Sequence, residues 1–76
     1  MSATIYKMIL DFIETTGVTV DLATHDLDVV LQRIELIREE YPNLDSIEKS
    51  TQNIIEQLIS VKKDIDELHQ KAKEER

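Results

Sequence analysis

The sequence contains no cysteine, and this absence removes several kinds of site at once. Without thiols the chain can form neither a disulfide framework nor a thiolate nucleophile, and it lacks the cysteine ligands of the common structural zinc sites. A chain without cysteine also fits a reducing compartment. We therefore expect a cytoplasmic protein whose fold depends on side-chain packing alone.

Residues that break helices are almost missing. The 76 residues include one glycine, Gly17, and one proline, Pro42, whereas average usage is about 7% glycine and 5% proline. Catalytic and phosphate-binding loops commonly need several glycines, so we expect no enzyme activity and no bound cofactor. The remaining composition, rich in Ile, Leu, Glu and Lys, is typical of long helices and predicts an all-α protein.

Long apolar runs are also missing, so the sequence predicts neither a membrane span nor a signal peptide. Basic residues are the minority charge: nine Lys and Arg stand against sixteen Asp and Glu, which gives a formal net charge of −7. Nucleic-acid phosphates and anionic membranes repel such a chain. Direct binding to nucleic acid or to a membrane is therefore not expected, and a charged partner should be basic.

The clearest pattern present is a repeat in the second half of the chain. Between Leu44 and Ala72, apolar residues recur at alternating steps of three and four, the spacing of a helix that packs along one seam. Thr51 is the one polar member, and its hydroxyl is expected to bond to the carbonyl four residues earlier. Asp45 followed by Glu48 has the spacing of a capping box. The repeat predicts helix 3 at about residues 45–73, with the seam Leu44, Ile47, Thr51, Ile54, Leu58, Val61, Ile65, Leu68 and Ala72.

Two shorter helices are predicted before this one. Helix 1, at about residues 4–15, has apolar residues at helical spacing. Gly17 is placed to end it in a left-handed conformation, and the β-branched residues 18–20 then form an extended connector. Helix 2, at about residues 22–40, ends before Pro42, because the residue preceding a proline is pushed out of the helical region. The apolar residues of helix 1 are Ile5, Met8, Ile9, Phe12 and Ile13.

The short turn near residue 43 predicts that helices 2 and 3 pack as an antiparallel hairpin. The sequence thus predicts a small three-helix protein, a single helical domain over residues 1–76, with helix 1 in the groove of the hairpin. A rival arrangement is a dimeric helical bundle with a four-helix core and helix 1 as an outer brace. We favour the dimer because Ile55 and Ile59 widen the apolar stripe beyond what one short helix covers. The predicted interface residues are Leu27, Val30, Ile34, Ile37, Ile47, Ile54, Ile55, Leu58, Ile59, Val61, Ile65 and Leu68.

Two histidine–carboxylate pairs have spacings that metal ligands can use. His25 and Asp28 lie three residues apart, as do Asp66 and His69, so each pair can converge on one side of a helix. Acids at a helix start are explained by the helix dipole, and the helix 3 seam adds no further carboxylate to the second pair. We predict no metal site and no catalytic residues.

The sequence favours a non-enzymatic helical protein–protein interaction module, self-associating, with a regulatory or adaptor role. Its partner is then a second copy or a protein with a basic or apolar groove. One alternative is an acidic inhibitor that imitates nucleic acid or blocks a basic site on a partner. Another is a small assembly chaperone or structural subunit. The acidic alternative depends on eight carboxylates in residues 1–44, namely Asp11, Glu14, Asp21, Asp26, Asp28, Glu35, Glu39 and Glu40.

Overall fold

The computed structural model describes residues 2–74, which form two long helices joined by a short turn. Helix α1 is Ala3–Ile37 and helix α2 is Asp45–Glu74, with one turn of 3₁₀ helix at Pro42–Leu44 between them. The described residues include no strand. The all-α class and the helical hairpin are confirmed, and α2 differs from the predicted helix 3 only at its last residue. The single-domain prediction for residues 1–76 also covers Met1, Glu75 and Arg76, which lie outside the described residues.

The structure has two helices where three were predicted. The segments predicted as helix 1 and helix 2 are parts of α1, which continues through Gly17 and residues 18–20. Gly17 does not adopt a positive φ. It is buried, and the side chains of Lys62 and Ile65 lie against it. Packing along α2 therefore outweighs the local preference of this segment for a break, as tertiary contacts commonly do.

Because α1 is continuous, its first half cannot fold back onto the hairpin. Instead it extends the pairing with α2, and contacts between ionisable side chains mark the register at three points along the hairpin. Glu14 lies 3.8 Å from His69, Asp21 lies 3.2 Å from Lys62, and Arg38 lies 3.8 Å from Asp45. The groove that the predicted helix 1 was to fill is left open.

The two helix ends nearest the turn are held by main-chain and side-chain contacts. Helix α1 ends at Ile37, three residues before its predicted end, and the Tyr41 N–H donates to the Ile37 carbonyl at 3.0 Å. The predicted capping partner Glu48 instead accepts a hydrogen bond from Arg38 at 2.9 Å. At the far end, the Ser2 hydroxyl caps α1 by accepting from the Ile5 N–H at 3.2 Å.

The core of this hairpin is thin. The buried apolar side chains are Ile13, Val20, Ile34 and Ala72, and none of the described side chains is both large and fully buried. The molecule measures 58 × 14 × 12 Å and has a radius of gyration of 17.4 Å, whereas a compact domain of this length has about 11 Å. The two helices touch along a single line, so most of their apolar side chains remain at least partly exposed to solvent.

Gly17 provides a test of the continuous helix. A Cβ atom at this position would lie 3.7 Å from Ile65 Cγ2 and 3.7 Å from Lys62 Cε, which is ordinary van der Waals contact. Gly17→Ala should therefore stabilise the protein by about 0.5–1 kcal/mol, because alanine loses less backbone entropy in a helix. Denaturant unfolding at fixed protein concentration measures this. Had Gly17 ended a helix in the left-handed conformation, alanine would destabilise instead.

Candidate interaction surface

Residues seven apart form rows along each helix, and each row keeps one direction relative to the partner helix. Helix α2 turns two adjacent rows toward α1, and every member of both is buried or half-buried. One row belongs to the predicted seam and the other does not. The first is Leu44, Thr51, Leu58, Ile65 and Ala72, and the second is Glu48, Ile55, Lys62 and His69.

The other half of the predicted seam faces away from α1. Its residues Ile47, Ile54, Val61 and Leu68 are 44–52% exposed. Helix α2 is therefore rotated so that three ionisable side chains approach α1 while four apolar ones stay half in solvent. For a hairpin that functions alone, the opposite rotation would remove more apolar surface from water.

Ion pairs between the helices accompany this rotation of α2. Arg38 donates to Glu48 at 2.9 Å and to Glu35 at 3.1 Å. Lys62 donates to Asp21 at 3.2 Å and lies 3.6 Å from Asp66. Glu48 and then Glu35 raise the pKa of Arg38, and the hydrogen bond to Asp21 raises the pKa of Lys62. Each exposed pair contributes little energy, but the contacts of Glu48, Lys62 and His69 lie along one row and agree on one register.

The Lys62 pair has a testable pH dependence. Because the folded-state pKa of Lys62 is raised above its ordinary value of 10.5, the pair stabilises the fold below that value. The contribution is lost as pH rises through the raised pKa. Below about pH 10.5 the wild type should therefore have a larger free energy of unfolding than Lys62→Gln, and this difference should disappear as the pH rises further. Urea unfolding of both proteins across this range measures the difference, and a pH-independent difference would contradict the pairing.

Helix α1 packs on α2 along the side that contains its buried residues Ile13, Gly17, Val20 and Ile34. A row of charged residues lies on one flank of that side, and a row of uncharged residues lies on the other. The uncharged row is half-buried, except that Ile37 is exposed, and the charged row is exposed throughout. Asp21 of the charged row lines an open groove together with Ile59, Lys62 and Asp66 of α2. We call this the charged groove. The charged row of α1 is Lys7, Glu14, Asp21, Asp28 and Glu35, and the uncharged row is Ile9, Thr16, Ala23, Val30 and Ile37.

The uncharged row of α1 and the exposed apolar row of α2 must share the opposite side of the hairpin, because the charged groove lies on the first side. The register of the ion pairs places them at four common levels along the helices. We call these eight residues the apolar groove, and none of them is charged. From the turn outward, the levels are Ile37 with Ile47, Val30 with Ile54, Ala23 with Val61, and Thr16 with Leu68.

The predicted interface residues divide into three groups in the structure. Five pack between α1 and α2, six lie in the apolar groove, and Ile59 lies in the charged groove. Their contact with another chain stays a prediction. Thr16 and Ala23 were missed as groove residues, although the seven-residue spacing leads to both from Ile37 through Val30. The group within the hairpin is Leu27, Ile34, Ile55, Leu58 and Ile65, and the groove group is Val30, Ile37, Ile47, Ile54, Val61 and Leu68.

The histidine–carboxylate pairs do not converge. His69 approaches Glu14 and Asp66 approaches Lys62, while His25 and Asp28 are both exposed. Residues 2–74 contain no group of three or more side chains placed to hold a metal ion.

Bonds from a threonine hydroxyl to the carbonyl four residues earlier occur at Thr19 and Thr24. None of the hydrogen bonds of the described residues involves the Thr51 hydroxyl, although Thr51 is buried.

Neither helix combines the length and the apolar character needed to cross a membrane within the described part of the chain. Comparison with models of known protein families, with curated proteins and with solved structures gives no match. The two grooves of the hairpin are therefore the surfaces from which a function can be inferred.

Proposed function

We propose that the protein is a non-enzymatic interaction module that binds helices in its apolar groove and serves a regulatory or adaptor role. The observation that carries this proposal is the rotation of α2. Ile47, Ile54, Val61 and Leu68 stay about half exposed while a row with three ionisable residues faces α1. An apolar row withheld from the hairpin core is available to another helix.

The groove has the dimensions and chemistry of a helix-binding surface. Its four levels extend from Thr16 to Ile37, which is about 32 Å at 1.5 Å per residue. Fully burying a Val, Leu or Ile side chain contributes roughly 1.5–3 kcal/mol relative to full exposure, and about half of that remains to be gained at each α2 position. Contiguous apolar surface of this extent commonly marks an interaction site. Helices bind such grooves through side chains at i, i+3, i+4 and i+7.

A synthetic helical peptide tests the proposal. The peptide is uncharged on its surface, carries leucines at three- and four-residue spacing, and is long enough to span the four levels. Titrated by fluorescence anisotropy, it should bind wild type and lose at least about tenfold in affinity with Ile54→Glu.

Ile59→Glu is the matched control. It makes the same change on the same helix but in the charged groove, where Ile59 is 59% exposed. The control should bind the peptide as wild type does. Equal loss in both variants, or in neither, would contradict the apolar groove as the binding surface.

The acidic-inhibitor alternative has less support from the structure. Four of the eight carboxylates lie on one row of α1, but Glu14, Asp21 and Glu35 of that row already pair with His69, Lys62 and Arg38. The other four, Asp11, Asp26, Glu39 and Glu40, are exposed and lie off that row. The assembly-chaperone alternative would use the same apolar groove, and the peptide titration applies to it equally.

A further inference from the structure

We infer that the occupant of the apolar groove is a second copy of this chain, so that two hairpins pack groove to groove as a four-helix bundle. The inference depends on the proposed function, because it names the partner of the same surface. Three features of the hairpin favour a second copy: the charges beside the groove, the surface area of the chain and the layering of the groove side chains.

The charges that border the groove are balanced. The next row outward on α1 contains Asp26 and Arg33, and the next row outward on α2 contains Asp64 and Lys71. Two acids and two bases sum to zero, so the formal net charge of −7 lies on other parts of the chain. Two copies can therefore meet at this surface without opposing their excess acids. A basic foreign partner would find no acidic border here to select it.

The surface area also matches a dimer. The chain exposes 6121 Å², whereas a compact monomer of 8.8 kDa exposes about 4,800 Å². The excess is roughly 1,300 Å², and a standard protein–protein interface buries about 800 Å² on each partner. An interface of standard size would therefore remove more than half of this excess from each chain.

The layering of the groove completes the argument. Each level offers two uncharged side chains from one hairpin, for example Val30 with Ile54, and no described residue covers them. A two-fold axis brings the same surface from both copies together, so each layer of the bundle gains side chains from all four helices. This arrangement is the usual core of a four-helix bundle. A single hairpin cannot form such a layer.

Sedimentation equilibrium of the full chain across the micromolar range tests this inference. Wild type should show a reversible monomer–dimer equilibrium, and its melting temperature should rise with protein concentration, because association stabilises only the folded state. Ile54→Glu should raise the dimer dissociation constant at least about tenfold, and Ile59→Glu should change it by less than about twofold. Val61→Glu, one level farther from the turn, should repeat the result of Ile54→Glu.

A wild-type chain that stays monomeric at every concentration, with a melting temperature independent of concentration, would overturn the second copy as occupant. The peptide titration would then still decide whether the groove binds helices, so the two proposals fail separately. Dimers that form equally well in Ile54→Glu and fail in Ile59→Glu would also overturn the inference, because they would place the interface in the charged groove. If Ile54→Glu lost its helical circular dichroism, the wild-type mass and melting data would decide the question alone.

Discussion

Replacing Ile13 with alanine should destabilise the single hairpin by about 2–5 kcal/mol, whereas replacing its neighbour Phe12 should change the stability of the single hairpin by less than about 0.5 kcal/mol. The larger loss of stability is expected at the smaller side chain, which is the reverse of what side-chain size alone would predict. Ile13 is 2% exposed and lies beside Gly17, Ile65 and His69, whereas Phe12 is 63% exposed on the outer side of α1. Denaturant unfolding of both variants at one protein concentration, followed by circular dichroism, measures the difference.

The pair of variants reports on how the first half of α1 packs. In the predicted three-helix arrangement, Ile5, Met8, Phe12 and Ile13 all belonged to one buried stripe. In the continuous helix, only the side that contains Ile13 faces α2. A loss at Phe12 equal to or greater than that at Ile13 would contradict the described pairing of the two helices.

Gly17→Leu should destabilise the protein by about 1–3 kcal/mol, the opposite sign to Gly17→Ala. A Cβ atom at this position already reaches contact distance from Ile65 and Lys62, so the additional carbons of leucine compete with both side chains for the space beside Gly17. The larger side chain must displace both neighbours, and the shift of Lys62 would also disturb its hydrogen bond to Asp21. Urea unfolding of the wild type, the alanine variant and the leucine variant measures the series.

Val18→Leu is the control for this series, because Val18 is adjacent in sequence and 59% exposed. It should leave stability nearly unchanged. If leucine were tolerated as well at position 17 as at position 18, Gly17 would not lie between the helices. That result would favour a connector at this point of the chain.

The second half of the fold could be predicted because one pattern runs through it without interruption. The apolar repeat from Leu44 to Ala72 specifies a helix of about the observed length, and Pro42 places the turn before it. The first half carries conflicting signals. Gly17 and the β-branched residues 18–20 locally disfavour a helix, and the packing of Lys62 and Ile65 against Gly17 favours its continuation.

The rotation of α2 could not be read from its own repeat. Leu58 and Ile65 belong to the packed side under either rotation, and apolar residues occur on both flanks of them, a full row on one side and Ile55 and Ile59 on the other. The choice depends on partners far away in sequence, such as Asp21 for Lys62 and Glu14 for His69. Six groove residues were therefore predicted as interface residues, but their separation from the hairpin core was not.

Nuclear magnetic resonance of residues 16–21 and of Ile65 tests the central claim most directly, namely that α1 passes through Gly17 without a break and packs there on α2. The account predicts helical chemical shifts across these residues and a strong nuclear Overhauser effect between the Gly17 α-protons and the Ile65 methyl groups. Extended shifts at Val18 and Val20, together with no contact between Gly17 and Ile65, would contradict it.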